Sequence, residues 1–505
     1  NDWQMYNGSS WNAFGADGTP GAARNVFIQG DMSTNGSCTV NDITIMSGAE
    51  LTISAASTAN GNVTVKSGGI LKIDPGRFIA GGSNNTFEVE DNAYVYVNYP
   101  YEATGENGAA SCLWKANEKF HPRSVFVIQD WDNDPQSYLT GTNTEDISTY
   151  TAGTFSACFG HLIVDMENSG STADLILMSP AFSSNLLHSD LVFRSSGLRN
   201  YEFSEGSFST TIGGNIEIES GFQKAVSILN TAGTATVNVK GHVNHVGTSS
   251  FTLAATESAS DAAVIILNVE GNITVTNTGT LDFNSTASAG AGTVLSINLK
   301  GDLNIASTAL LMNANQQSNG RFNFMGTGDG SSADQIQSVN ITSTGANRNR
   351  YINFNIGEGA YMQLGANLEL GSNSKVTVDK NATLDFGFSG STALYITSVA
   401  SGNASAFESK EGSILKITSP QGLIKSTTKY GAATGNVRMI AMSNRAYDPA
   451  GTFWYTGKAN QVTGDAFGTT SSARQVICDL ETNSLTLTPT DSFGVSSTAT
   501  ISSTG

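Results

Sequence analysis

Three strings recur 30 residues apart and in register: VNVKGHVNH at 237–245, LNVEGNITV at 267–275 and INLKGDLNI at 297–305. Each opens on an apolar–Asn–apolar alternation, turns at a glycine (Gly241, Gly271, Gly301) and alternates again. A fixed period of this size built from short strands predicts a solenoid, in which each repeat buries its apolar face only by stacking on the next. A third strand follows in each copy, at Phe251–Leu253, Leu281–Phe283 and Leu310–Met312. Three alternating strands per period predict an all-β, right-handed parallel β-helix, with coils about 4.8 Å apart.

A shorter series precedes it. ITIMSGAELTI at 43–53 matches VTVKSGGILKI at 63–73 and FEVEDNAYVYV at 87–97. Gly48, Gly68 and Asn92 fall at one position, and these residue types accept positive φ. The composition agrees: 13% charged residues, 54 Gly and 9 Pro suit stacked strands and tight corners better than helices. A net charge of −18 with no basic run argues against nucleic acid as a partner. No stretch of about 18 apolar residues is present to span a membrane.

Along the chain, residues 1–24 hold Trp3, Trp11 and Pro20 without a period and are expected to cap the first coil, shielding its edge. Coils are expected over 25–97. Residues 98–158 break the alternation and read as a loop-rich insertion. Coils then resume over 159–505. Alternation persists to the last residues, so the array is expected to continue into the remainder of a larger parent chain. On the order of 15 coils would make a rod about 70–80 Å long.

Several passages resemble the β-strand-repeat regions of secreted and surface proteins of Bacteroidota, exported by the type IX secretion system. They are NDITIMSGAELTI at 41–53, GANLEL at 365–370 with NATLDFG at 381–387, and YTGKANQVTG at 455–464. Trp11, Gly18-Thr-Pro20 and Val26-Phe-Ile28 are similar to the usual start of such regions. The resemblance implies a parallel β-helix, export by the type IX machinery and an extracellular or cell-surface location. It implies no catalytic residues, because the shared units carry none.

Candidate chemistry is sparse. Asp130, Asp132 and Asp134 cluster oxygens that suit Ca2+, with a solvated acidic loop as the alternative reading. Tyr99, Tyr101, Trp114 and Trp131 are the expected contact residues of the insertion, facing surface or glycan ligands. Cys112 and Cys158 fall in or beside that segment; a disulfide between them in an oxidising compartment and two buried free thiols are both open. His242 and His245 suggest a metal pair, but residues three apart on a strand face opposite sides, and His245 aligns with the inward Val275 and Ile305. Asn238, Asn268 and Asn298 lie between inward residues and are expected to form an outward amide ladder. Gly301-Asp302 and Gly214-Asn215 read as coil turns. Thr327-Gly-Asp-Gly330 with Asp334 is a weaker Ca2+ candidate, and no other cofactor is expected.

No G-x-S-x-G, H-E-x-x-H or phosphate-binding loop appears. The expectation is therefore a non-enzymatic stalk or adhesin segment that presents contact loops. The alternative is a carbohydrate-active β-helix enzyme, a polysaccharide lyase or glycosidase, using side chains gathered from adjacent coils.

Overall fold

The computed structural model of the chain describes residues 4–6, 11–13, 24–34, 36–74, 78–80, 85–99, 112–114, 117–131, 157–166, 175–177, 185–197, 200–204, 206–255, 262–285, 293–314, 319–326, 336–345, 348–398, 405–423, 435–439, 445–448, 450–464, 475–480 and 483–486. Among them every regular element is a β-strand. The chain divides into two compact units, residues 1–227 with 237–240, and residues 228–236 with 241–505. Each is a stack of parallel rungs, and the fold is a parallel β-helix.

In the first unit the ladder of longest run pairs Met32–Thr34, Glu50–Ile53, Ile70–Ile73, Tyr94–Tyr99, Val125–Trp131, His161–Asp165, Leu191–Ser195 and Ile216–Ile218 in succession, all parallel. A second ladder runs Val26–Ile28, Ile43–Ile45, Val63–Val65, Thr86–Val89 and Asn117–Phe120. A third runs Cys38–Val40, Ser57–Ala59, Phe78–Ala80 and Cys112–Trp114. The early coils thus have three strands each, and the pairs Ile43↔Val63↔Phe87 are the offsets of the short repeat.

Strands of three or four residues hold because alternate side chains point inward and stack. Ile45, Val65 and Val89 are fully buried in one column, and Leu51, Leu71 and Val95 in another. Each fully buried aliphatic side chain is worth about 1.5–3 kcal/mol. Aromatic rings also fill the interior: the ring centre of Phe120 lies 5.1 Å from that of Phe159 and 6.0 Å from that of Phe126.

The corners repeat as faithfully as the strands. Gly48, Gly68 and Asn92 have φ of 75°, 76° and 59° and form their own backbone ladder, Gly48 N donating to Gly68 O and Gly68 N to Asn92 O. The glycines of the 30-residue repeat serve a different need. A Cβ on Gly271 would lie 2.6 Å from both Gly241 O and His242 Nδ1, so these corners require close approach of backbones.

In the second unit Val243–His245, Ile273–Val275, Leu303–Ile305, Ile336–Ile341, Tyr361–Leu364, Thr383–Asp385, Ile414–Ile417, Thr452–Tyr455 and Gln475–Cys478 form the longest ladder. One flank carries Ala263–Val269, Val294–Leu299, Asn319–Phe324, Ile352–Ile356, Lys375–Val378, Ala406–Ser409 and Arg445–Tyr447. The other carries Ser250–Ala254, Thr280–Asn284 and Leu310–Met312, then Leu368–Leu370, Ile396–Ser398 and Val437–Arg438. The two antiparallel pairs among the described residues are Gln4–Tyr6 with Trp11–Ala13, inside the expected cap, and Phe388–Ser389 with Thr392–Ala393, a corner hairpin.

The expected loop-rich insertion at 98–158 lies largely outside the described residues. Its described stretches 112–114, 117–120 and 125–131 are rungs of the three ladders. Alternation is hidden there because Val125, Phe126, Val127 and Ile128 are all buried, so both faces of the strand are covered and period two disappears from the sequence.

Candidate contact surfaces

Outward side chains of neighbouring coils are joined by lengthwise hydrogen bonds. Asn298 Nδ2 donates to Asn268 Oδ1 at 2.7 Å, Asn323 to Asn298 at 2.7 Å and Asn355 to Asn323 at 2.9 Å. The expected amide ladder is present and extends over two rungs that lie outside the 30-residue repeat. Asn238 donates to the Thr210 carbonyl at 3.2 Å.

Corner side chains cap the next coil. Asp42 Oδ1 accepts from Asn62 N, Asp190 Oδ1 from Asn215 N, Asn272 Oδ1 from Asp302 N and Asp302 Oδ1 from Ser338 N, each at 2.7–2.8 Å. His242 does the same, its Nδ1 accepting from Asn272 N at 2.8 Å, which places its proton on Nε2. These residues are structural acceptors. His245 is inward and fully buried, its Nε2 3.1 Å from Ser249 Oγ, and burial pulls its pKa down to about 4. The two histidines face opposite sides and form no metal pair.

Two glutamines lock the longer corners. Gln337 Nε2 donates to Leu299 O and Gly301 O while its Oε1 accepts from Gly326 N. Gln461 repeats the arrangement on Ile417 O, Ser419 O and Gly457 N, and Tyr455 Oη donates to Thr463 O. The YTGKANQVTG string is therefore a corner built around a buried amide.

Of the expected contact residues, Tyr99 and Trp131 are register partners on adjacent parallel strands, and Trp114 ends the strand Cys112–Trp114. They are correspondingly strand residues rather than loop tips; Tyr101 lies outside the described residues. Asp130 is also a strand position, paired with Asn98 where the register shifts, whereas Asp132 and Asp134 lie outside the described residues, as do 327–330 and Asp334. The backbone places Cys112 and Cys158 on strands of different sheets. Cys38 and Cys478 are free.

Two clusters were not anticipated. In the first unit Glu88 Oε1 receives Lys119 Nζ at 2.5 Å and His121 Nε2 at 2.8 Å from the next coil, and Lys66 pairs with Glu90 at 2.7 Å. Burial raises the Glu88 pKa, but hydrogen bonds from Lys119 and His121 and their charges outweigh it and leave the carboxyl below its usual range. A carboxylate held ionised by two donors is poorly suited to donate a proton to a leaving group.

In the second unit Tyr361, Gln363, Asp385, Lys416 and Trp454 occupy outward positions of four successive rungs. Tyr361 Oη donates to Asp385 Oδ2 at 2.9 Å and accepts from Lys416 Nζ at 2.8 Å. Gln363 Nε2 and Gly387 N also donate to Asp385, at 3.1 and 2.8 Å. Lys416 Nζ lies 4.6 Å from the Trp454 ring centre. Burial, with Asp385 beside it, pushes the Tyr361 phenol up, so it stays protonated at neutral pH. Sequence reading could not find this cluster because its successive rungs, at Gln363, Asp385, Lys416 and Trp454, are 22, 31 and 38 residues apart; the register that joins them exists only once coil lengths are known.

Among the described residues no helix is long and apolar enough to cross a membrane, and no group of three His, Cys, Asp or Glu could hold a metal ion. No protein-family model, curated protein or solved structure matches the chain.

Proposed function

We propose that this chain is the extracellular structural and adhesive repeat region of a larger surface or secreted protein, a stiff stalk that displays contact surfaces. The observation that carries the proposal is the direction of the bonding. Within each unit, backbone ladders, the Asn268–Asn298–Asn323–Asn355 amides and the corner acceptors all run from coil to coil. Such bonding resists separation of neighbouring rungs and costs no central cavity, as suits a load-bearing spacer. The likeness to Bacteroidota strand-repeat regions adds export by the type IX system and a place on the cell surface.

Antibody labelling of intact producing cells tests the location. Strong labelling without permeabilisation is expected, and labelling that requires permeabilisation would contradict the proposal. Pulling single molecules along the chain should give stepwise extension at high force.

A further inference from the structure

Outward positions of the longest ladder in the second unit begin with small polar residues: Asn244, Thr274, Asn304 and Asn340 align rung to rung. Lower on the same ladder the character changes to Tyr361, Gln363, Asp385, Lys416 and Trp454. A purely structural network of this kind would consume its own donors and acceptors. This one does so only in part. Asp385 is saturated by Tyr361, Gln363 and Gly387. Lys416 gives one N–H to Tyr361 Oη and rests against the Trp454 ring, and among the described residues neither its ammonium nor Gln363 Oε1 makes a further hydrogen bond.

The ring of Tyr361 is half-buried on the outward side of the strand and held at its hydroxyl. Lys416 Nζ is 2.8 Å from the hydroxyl oxygen but 5.0 Å from the ring centre, so the ammonium sits beyond the hydroxyl rather than over the ring. Hydrogen bonds on both sides of Oη fix the ring in place. Beside this surface stands the hairpin of Phe388–Ser389 and Thr392–Ala393, tied down by Lys458, whose Nζ donates to Gly390 O at 3.3 Å and lies 4.6 Å from the Phe388 ring.

We infer that this surface is a binding site for a neutral glycan, with one pyranose stacked on Tyr361. A pyranose offers an apolar C–H face to an aromatic ring and equatorial hydroxyls around its edge. Rigid aromatic side chains supply such contact at small entropic cost. The hydroxyls would take the free N–H groups of Lys416 and donate to Gln363 Oε1. An acidic glycan fits less well, because Asp385 offsets the one cation at the centre and the chain carries a net charge of −18. The inference deepens the adhesive part of the proposed function and leaves the stalk part independent of it.

The test is calorimetric titration of the full chain with hexamers of β-1,4-linked glucose, mannose and xylose and of a β-linked uronate. Saturable binding of at least one neutral hexamer is expected, weakened at least tenfold by Tyr361→Ala and by Lys416→Met, and less by Tyr361→Phe, which keeps the ring. Thr274→Ala, on the same ladder but remote in register, should bind as wild type. If Tyr361→Ala does not fold, Gln363→Ala, expected to weaken binding severalfold, takes its place. Hydrogen exchange of wild type with the bound hexamer should then slow amides in Tyr361–Leu364 and Ile414–Ile417. The inference is overturned if no neutral hexamer binds, if the uronate binds best, or if the variants bind unchanged. Surface labelling of cells would be unaffected by such a failure.

Discussion

Asn298 passes a hydrogen bond in each direction, donating from Nδ2 to Asn268 Oδ1 and accepting at Oδ1 from Asn323 Nδ2, both at 2.7 Å. An amide carries its donor and its acceptor on separate atoms, so one residue can donate to the coil on one side and accept from the coil on the other, as the repeated Asn requires. Asn298→Asp keeps the acceptor for Asn323 and loses the donor to Asn268; Asn298→Val loses both. We expect a cost of about 1 kcal/mol for the first and about 2 kcal/mol for the second, read from urea midpoints. Equal, negligible effects would mean the ladder is ornamental.

Two buried groups of the second unit should give opposite pH slopes. Burial pulls His245 down to about 4 from 6.5, so the unfolded chain binds its proton first as pH falls. His245 therefore makes stability rise with pH between about 4 and 6.5. Burial pushes Asp282 up to about 7 from 3.8, with hydrogen bonding from Asn284 N and the charge of Arg350 opposing it in part. The folded chain then holds the proton more tightly, and stability falls as pH rises from about 4 to 7.

Each term is on the order of 3–4 kcal/mol across its window. They largely cancel in the native chain. His245→Val, which copies the aligned Val275, should expose the falling slope, and Asp282→Asn the rising one. Urea midpoints at pH 4.5, 5.5 and 6.5 decide this; parallel curves for the native chain and both variants would count against it.

The two kinds of corner glycine should respond differently to the same substitutions. Gly48 has φ of 75° with open space where a Cβ would go. Gly301 has the Gly271 carbonyl and Asn272 Oδ1 in that space. Gly48→Ala is expected to cost about 1–2 kcal/mol of left-handed strain, and Gly48→Asn less, since Asn92 holds the equivalent corner at φ 59°. At Gly301 both substitutions should cost about 3 kcal/mol, because the backbone of the neighbouring coil must move. Thermal melting of the four variants distinguishes the cases.

Much of the architecture was legible because coil length is constant where the repeat is regular. Val243, Ile273 and Leu303 stand 30 residues apart in the sequence, and they pair in the structure. The same alignment put His245 in the interior and Asn268 outside. Legibility ended where both faces of a strand are covered, as at Val125, Phe126, Val127 and Ile128, and where coil length varies, as between Tyr361, Asp385, Lys416 and Trp454. Side chains of adjacent coils meet according to register, and a variable corner hides that register from the linear chain. The buried glutamine corners show the same limit: Gln461 was visible in its string, but the carbonyls it holds belong to the coil before.

The account depends on parallel stacking in register, and spin labels test that most directly. Thr274 and Asn304 are outward partners on adjacent rungs, and Asn340 is the next. With the four native cysteines changed to serine, nitroxides at 274 and 304 should show strong dipolar broadening, as befits rungs about 5 Å apart, and labels at 274 and 340 weaker broadening at about 10 Å. Spectra equal to the sum of the single labels for the 274/304 pair would contradict the coil.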